Sequence, residues 1–123
     1  MSKILVVDDA RFSRKAVMAA LNDSGCEFVQ ASNGVEALEQ VFATDPDVVV
    51  SDLLMPEMDG MELLSVLRGR GDQRPVIIVS ADIQVTSREE CERLGASGFL
   101  NKPFQASELQ TRVCEALETL TGV

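Results

Sequence analysis

Three carboxylates stand at the ends of short apolar runs in this chain of 123 residues. Asp8 and Asp9 directly follow the run Ile4–Val7, and Asp52 closes the run that begins at Val48. Carboxylates about 4 Å apart repel each other by roughly 4 kcal/mol at an effective dielectric constant of 20. If folding brings these three together, they need a counter-charge or a proton. Oxygen ligands without His or Cys suit Mg²⁺, which readily shares its coordination shell with a phosphate.

A hydroxyl group and an ammonium group follow two later apolar runs. Ser80 comes after the run 76–79, and Lys102 comes shortly after Phe99-Leu100. A carboxylate can attack phosphorus and form an acyl phosphate. A cation such as Lys102 then neutralises the oxygens of the transferred group, and the Ser80 hydroxyl can donate a hydrogen bond to one of them. These residue types predict phosphoryl transfer to a carboxylate.

The apolar runs themselves have the pattern of a parallel β-sheet. They lie at 4–7, 28–31, 48–50, 76–79 and 99–100. Three are continuous and not alternating, as expected for strands that are covered on both faces. Stretches of helical length separate them, and this alternation predicts a parallel sheet with helices on both faces. Ligands of such sheets bind outside the carboxyl ends of the strands, so we expect all five candidate side chains at one edge.

Spacings of three and four residues predict which side chains of the helices face the sheet. In the first helix the expected stripe is Phe12, Ala16, Val17, Ala20 and Leu21. In the second helix it is Val35, Leu38, Val41 and Phe42. The helix expected over Gln84–Leu94 has the weakest pattern, because its clearly apolar residues are Val85, Cys91 and Leu94.

Composition excludes several classes of function. The formal net charge of −9 argues against a nucleic-acid or anionic-membrane surface. The chain has no His, which excludes metal sites, triads and proton relays that depend on His. We find no apolar run of membrane-spanning length and no signal peptide. The three cysteines, Cys26, Cys91 and Cys114, form no CxxC pair, so we expect a reduced cytoplasmic protein.

The order of the motifs resembles the receiver domain of two-component response regulators. The resemblance is carried by Asp8-Asp9, by Asp52 followed by Met55-Pro56 and Asp59-Gly60, by Ser80-Ala81, and by Lys102-Pro103-Phe104. It implies a doubly wound, flavodoxin-like α/β fold with five helices and a five-stranded parallel sheet in the order 2-1-3-4-5. It covers essentially the whole chain and implies one receiver domain over 1–123, similar to single-domain chemotaxis regulators.

The resemblance also implies a set of ligands for the acceptor site. Asp52 is the expected phosphoacceptor. Asp9 and Asp52 are the expected direct ligands of Mg²⁺, together with the backbone carbonyl of Leu54. Asp8 is expected to assist through a water molecule.

Three further residues are implied in the response to phosphorylation. Lys102 would pair with the phosphoryl group, Ser80 would follow it, and Phe99 occupies the position of the family's rotating aromatic switch. The Lys102-Pro103 peptide bond is expected to be cis. Because Phe99 lacks a Tyr hydroxyl, its signal would pass through packing alone. The segment 96–98 replaces an acidic pair that many transcription-factor receivers carry, which disfavours their charge-paired dimer and favours a monomer or weak dimer.

The implied function is that of a signalling switch and not of an enzyme. A sensor histidine kinase, a phosphotransfer protein or a small donor such as acetyl phosphate would supply the phosphoryl group, and the chain would assist its own phosphorylation and dephosphorylation. The face of helix 4, strand 5 and helix 5 would then change and control a protein partner, with no direct role for nucleic acid or membrane.

Other readings stay open from the residues. The chain can be a receiver within a larger response regulator or a hybrid kinase. An Mg²⁺-dependent phosphatase with an aspartyl-phosphate intermediate is disfavoured, because that class needs a second acid where Leu54 stands. A flavin or nucleotide binder is disfavoured too, because the sequence has no GxGxxG or GxxxxGK loop.

Overall fold

The computed structural model describes residues 2–22, 25–81 and 85–120, which form five strands alternating with five helices. The strands are β1 (Lys3–Val7), β2 (Glu27–Ala31), β3 (Val48–Asp52), β4 (Val76–Ser80) and β5 (Gly98–Asn101). The helices are α1 (Arg11–Ala20), α2 (Gly34–Thr44), α3 (Gly60–Gly69), α4 (Val85–Arg93) and α5 (Ala106–Leu120). Within the described residues, no helix is both long and apolar enough to cross a membrane.

All five strands belong to one parallel sheet in the order β2-β1-β3-β4-β5, which confirms the expected strand order. Val7 of β1 pairs with Ala31 of β2 and with Ser51 of β3, and Asp52 pairs with Val79 of β4. This register aligns the carboxyl ends of the strands at one edge. The residues that follow β1 and those that end β3 and β4 therefore lie beside each other.

The sheet is covered on both faces, which confirms the doubly wound arrangement. Successive side chains of a strand point to opposite faces. Leu5 packs in an apolar cluster with side chains of α2, α3 and α4, and Ile4 packs in a second cluster with side chains of α1 and α5. Both are fully buried. Burial on both faces explains why the central strands are continuous apolar runs.

The predicted stripe of α1 is wrong in part. Val17 and Leu21 are buried, but Phe12 is 85% exposed and Ala16 is exposed. Phe12 and Ala16 belong to one i, i+4 row of the helix, whereas Val17 and Leu21 belong to the next row. The sheet and α5 cover the second row, so the first row faces outward.

The predicted stripe of α2 is wrong at Phe42 and Val35 for the same reason. Gly34, Ala37 and Val41 form the buried row, while Phe42 is 72% exposed and Val35 is 43% exposed. The guanidinium of Arg70 lies over one face of the exposed Phe42 ring, with its central carbon 5.1 Å from the ring centre. A cation over an aromatic face at an exposed site contributes about 0.5–1 kcal/mol.

The weakly patterned helix is present as α4, and Gln84 lies outside the described residues. Its Cys91 is fully buried in the cluster beneath α2, α3 and α4, and Leu94 is partly buried against the same cluster. Cys91 and Leu94 thus pack the C-terminal half of this helix and the residue after it against the sheet.

Candidate functional site

Asp8, Asp9 and Asp52 meet at the carboxyl edge of the sheet. One carboxylate oxygen of each lies within 4.8 Å of the other two. Asp8 is 3% exposed and the side chain of Asp52 is 12% exposed, whereas Asp9 is exposed. The cluster is therefore buried at its base and open to solvent at Asp9.

The turn after β1 holds Asp8 in place. Its Oδ1 accepts a hydrogen bond from the backbone N–H of Ala10 at 2.9 Å. Its backbone carbonyl accepts one from the guanidinium of Arg14 at 2.6 Å, and the same guanidinium donates to the side chain of Gln30 at 3.0 Å. Sequence analysis did not identify Arg14. The available signal is its place early in α1, from which a long side chain reaches back towards the preceding turn.

Lys102 reaches the carboxylates of Asp8 and Asp52. Its Nζ lies 3.1 Å from Oδ2 of Asp8 and 3.6 Å from Oδ2 of Asp52. Its backbone N–H donates to the carbonyl of Ser80 at 2.7 Å, which ties the segment after β5 to the end of β4. The Lys102-Pro103 bond is cis, as expected. The ammonium group thus lies beside the candidate phosphoacceptor.

Asp52 carries an electrostatic cost in this cluster. Burial raises its pKa above the ordinary value for Asp, and the neighbouring charge of Asp8 raises it further. Lys102 and the backbone N–H groups of Leu53 and Leu54 favour the ionised form, but they do not offset the rise. The cluster therefore has more negative charge than Lys102 alone can balance.

The donor set of this cluster fits a hard divalent cation. Three carboxylates offer oxygen atoms within 4.8 Å of one another, and Mg²⁺ prefers oxygen ligands. A divalent cation would also supply the positive charge that the cluster lacks. The side chain of Leu54 is 61% exposed, and the role of its carbonyl as a ligand stays a prediction.

Ser80 and Phe99 lie on the same face of the sheet. Ile78 pairs with Phe99, and Ser80 lies two residues after Ile78, so all three side chains point to the side of α2, α3 and α4. Ser80 is fully buried and Phe99 is 8% exposed. Ser80 ends β4 next to Val79, the partner of Asp52. Ser80 thus lies on the strand beside that of Asp52, and Phe99 lies one strand further away, on β5. Their roles as switch residues stay predictions.

Gly60 allows the loop after β3 to close tightly on the acceptor. Its N–H donates to the carbonyl of Leu53 at 2.9 Å, and a Cβ at this position would lie only 2.4 Å from the backbone oxygen of Asp52. Asp59 and Glu62 then form a capping box that starts α3. Sequence analysis used the Asp59-Gly60 motif without its physical reason, which is this close approach.

An apolar cavity of about 720 Å³ opens beside Lys102. Exposed Phe12 and Ala16 line it from α1, and Pro103 and Phe104 line it from the segment after β5. Sequence analysis assigned Phe12 to the core and so missed this surface. The sequence feature that could have indicated this surface is the position of Phe12. It follows Asp9 by three residues and lies at the end of α1 that is closest to the acidic cluster.

The sequence model of the response regulator receiver domain matches residues 4–114. The chain belongs to this family. The matched range includes the three clustered aspartates, Ser80 and Lys102. The acidic edge of the sheet therefore lies within the receiver domain of a response regulator.

Individual relatives agree with this assignment. The chain is 39% identical over 111 residues to the response regulator MprA of Mycobacterium tuberculosis, covering 90% of this chain but 48% of MprA. It therefore spans about half the length of that relative. Among solved structures, the receiver domain of the Francisella response regulator 1452 is 32% identical with a TM-score of 0.91, covering 98% of this chain and 99% of that one. The chemotaxis protein CheY4 of Vibrio cholerae is 31% identical with a TM-score of 0.85, covering 94% of this chain and 98% of that one.

Proposed function

We propose that this receiver domain, spanning 1–123, is a phosphorylation-dependent switch that accepts a phosphoryl group on Asp52. The observation that carries the proposal is the position of the Lys102 ammonium, 3.6 Å from the Asp52 carboxylate and 3.1 Å from that of Asp8. A cation in this place can balance a carboxylate before transfer and a phosphoryl oxygen after it.

The chemistry follows from the groups at the edge of the sheet. An Asp52 oxygen attacks the phosphorus atom of the donor, an acyl phosphate bond forms, and the donor's bond to phosphorus breaks. Lys102 pairs with the transferred group, and the Ser80 hydroxyl donates to one of its oxygens. Mg²⁺, when bound, neutralises the phosphoryl oxygens. The residues that would hold it are Asp9, Asp52 and the carbonyl of Leu54, with Asp8 acting through water.

The conformational response to phosphorylation would start at Ser80 and reach the rest of the domain through changes in side-chain packing. Phosphorylation adds nearly two negative charges and three acceptor oxygens beside the end of β4. Ser80 moves towards them, and Phe99, which shares its face of the sheet, repacks. The face formed by α4, β5 and α5 then changes its shape and controls a protein partner.

The apolar cavity beside Lys102 suits the docking of a protein donor. Phe12 is 85% exposed at its rim, and large exposed aromatic side chains are typical anchors of interfaces. We therefore propose that a sensor histidine kinase or a phosphotransfer protein covers this cavity while it presents its phosphoryl group to Asp52. A small donor such as acetyl phosphate reaches the open side at Asp9. The proposed location of the chain is the cytoplasm, where such kinases phosphorylate their partners.

The decisive experiment is phosphorylation by acetyl phosphate with and without Mg²⁺. We expect Mg²⁺-dependent incorporation that is stable in acid and labile in base, and its loss in Asp52→Asn. Asp59→Asn is the matched control, because it changes a nearby Asp to Asn and keeps a side chain that caps α3. Unchanged incorporation in Asp52→Asn would reject Asp52 as the acceptor. The chain would act only on itself in this assay, as expected of a phosphoacceptor switch that is not an enzyme.

A receiver within a longer response regulator is the second candidate. It is favoured by MprA, of which the matched region is 48%. An immunoblot of the source cells with an antibody to this domain distinguishes the two, because a band of the size of this chain supports the single-domain switch and a band of about twice the size supports the longer protein.

A further inference from the structure

Two of the three cysteines line one cavity at the opposite end of the molecule from the acidic cluster. This cavity has a volume of about 300 Å³, and Cys26 and Cys114 line it together with Leu21, Val113 and Leu117. Cys26 directly precedes β2, and β2 begins at the amino edge of the sheet. The thiols therefore lie apart from the residues of the proposed phosphorylation site.

The path of α5 explains why Cys114 lines the same cavity as Cys26. The helix follows β5 at the carboxyl edge and runs back towards the amino edge. On the way, the side chain of Gln110 donates a hydrogen bond to the carbonyl of Ala20 at 2.8 Å, at the end of α1. Cys114 is four residues, about 6 Å, further along the same face of α5. It is thus carried past the end of α1 towards the segment that contains Cys26.

The two thiols are accessible, in contrast to the third. Cys114 is exposed and Cys26 is partly exposed, whereas Cys91 is fully buried in the core. Burial raises the pKa of the Cys91 thiol to about 11, so it stays protonated and unreactive near neutral pH. The chain thus carries its own control thiol for any reaction at the cavity.

We propose that Cys26 and Cys114 form a reversible intramolecular disulfide when the protein meets a disulfide oxidant such as oxidised glutathione. The exposed Cys114 thiolate attacks one sulfur of the oxidant, whose S–S bond breaks and releases one glutathione thiolate. The Cys26 thiolate then attacks the Cys114 sulfur, the protein disulfide forms, and the second glutathione leaves. The protein loses two electrons and two protons, and the oxidant is reduced to two molecules of glutathione.

The bond would join the start of β2 to α5. Helix α5 forms part of the face that the proposed function assigns to partner control. Oxidation would therefore link one element of that face covalently to the segment before β2, the edge strand opposite β5. Phosphorylation and oxidation would then act on the same helix from opposite ends of the molecule. The inference itself rests on the cavity and its two thiols, and it does not depend on Asp52 as the acceptor.

The test is oxidation of the whole chain with oxidised glutathione, followed by alkylation of the remaining thiols in denaturant and peptide mapping. We expect one alkylatable thiol, at Cys91, and one cross-linked peptide pair that joins Cys26 to Cys114 and disappears with dithiothreitol. In Cys26→Ser, we expect a lasting glutathione adduct on Cys114, because the resolving thiol is missing.

Three results would overturn the proposal. The first is a wild-type chain that keeps all three thiols, and the second is a wild-type chain that holds glutathione on Cys114 as stably as Cys26→Ser does. The third is a disulfide that forms only between two molecules. The wild-type peptide map decides the first outcome, the same map of Cys26→Ser decides the second, and the mass of the oxidised chain under non-reducing conditions decides the third. Cys91→Ala should give the same cross-link as the wild type.

Discussion

The ammonium of Lys102 lies 3.1 Å from the carboxylate of Asp8, although the two residues are 94 positions apart in the chain. Asp8 follows β1 and Lys102 follows β5, and two other strands lie between β1 and β5 in the sheet. The contact therefore spans the carboxyl edge of the sheet, directly beside Asp52. Because one cation lies beside both carboxylates, the stability of the domain depends on the positive charge that balances them.

Lys102→Met tests this balance, because it removes the ammonium and keeps the length of the side chain. Without Mg²⁺ we expect the free energy of unfolding to fall by about 1–3 kcal/mol, since Asp8 would lose its charged partner. Adding Mg²⁺ should stabilise the variant more than the wild type, because the cation then replaces the missing charge. Urea unfolding with and without Mg²⁺ measures both effects, and Lys15→Met on the exposed side of α1 is the control. Equal stabilisation of variant and wild type by Mg²⁺ would contradict the charge argument.

Asp9→Asn should separate metal binding from folding. Asp9 is the exposed member of the acidic cluster. Its negative charge therefore repels Asp8 and Asp52, while its side chain does not pack in the core. In the absence of metal we expect the melting temperature to rise by a few degrees. The further rise that Mg²⁺ gives to the wild type should disappear in the variant, because a ligand stabilises only the state that binds it. Thermal unfolding across an Mg²⁺ titration gives both quantities.

The control for this experiment is Glu39→Gln, which removes one exposed negative charge from α2. It should leave the stabilisation by Mg²⁺ unchanged. A lower melting temperature of metal-free Asp9→Asn would show instead that Asp9 supports the fold.

The parts of the fold that depend on burial could be predicted from the sequence. The continuous apolar runs at 4–7 and 76–79 become strands because both faces of the sheet are covered. The strand order could not be read from these runs, because an apolar pattern does not encode which strands are neighbours. It came from the resemblance to receiver domains, and the sheet confirms it.

Errors arose where two apolar rows lie side by side on one helix. In α1 the sequence offers both Phe12-Ala16 and Val17-Leu21, and only the second row is buried. The choice between them depends on the rotation of the helix over the sheet, which spacing alone does not fix. The exposed row then forms the surface beside Lys102 that sequence analysis missed.

The acidic cluster was predictable because each carboxylate ends or follows a strand, and parallel strands share an edge. The supporting contact of Arg14 was not predictable in the same way. Its guanidinium binds the backbone carbonyl of Asp8, and a carbonyl is present at every position of the chain, so no residue type marks the partner.

Asp72 provides a test of pH dependence away from the acidic cluster. Burial opposes its ionisation, but hydrogen bonds from the side chain and backbone N–H of Arg74 outweigh this and hold the pKa of Asp72 below its ordinary value. A lowered pKa in the folded state stabilises the protein above the pKa of the unfolded chain, and this stabilisation is lost as the pH falls through the folded pKa.

Asp72→Asn should therefore lower the free energy of unfolding by about 1 kcal/mol at neutral pH. The difference from the wild type should shrink below about pH 4, where Asp72 of the unfolded wild type becomes protonated. Urea unfolding at several pH values measures it, with Glu89→Gln on the exposed side of α4 as the control. If the difference in the free energy of unfolding between Asp72→Asn and the wild type stays constant down to low pH, it does not come from the charge of Asp72.

Gly60→Ala and Gly69→Ala form a matched pair at the two ends of α3. A Cβ at Gly60 would lie 2.4 Å from the backbone oxygen of Asp52 and 3.1 Å from Cα of Leu53, whereas a Cβ at Gly69 meets no heavy atom within 4 Å. We expect Gly60→Ala to lower the free energy of unfolding by about 1–3 kcal/mol, because the loop after β3 must move away. Gly69→Ala should raise it by about 0.5–1 kcal/mol, because Ala restricts the unfolded chain and suits a helix.

The same pair links the loop to the acceptor site. If the close approach of Gly60 positions Asp52, Gly60→Ala should also weaken the binding of Mg²⁺, measured by the shift in melting temperature, while Gly69→Ala leaves that shift as in the wild type. Equal shifts in both variants would limit the role of Gly60 to folding. A stability of Gly60→Ala equal to that of the wild type would mean that the loop has room for a methyl group beside Asp52.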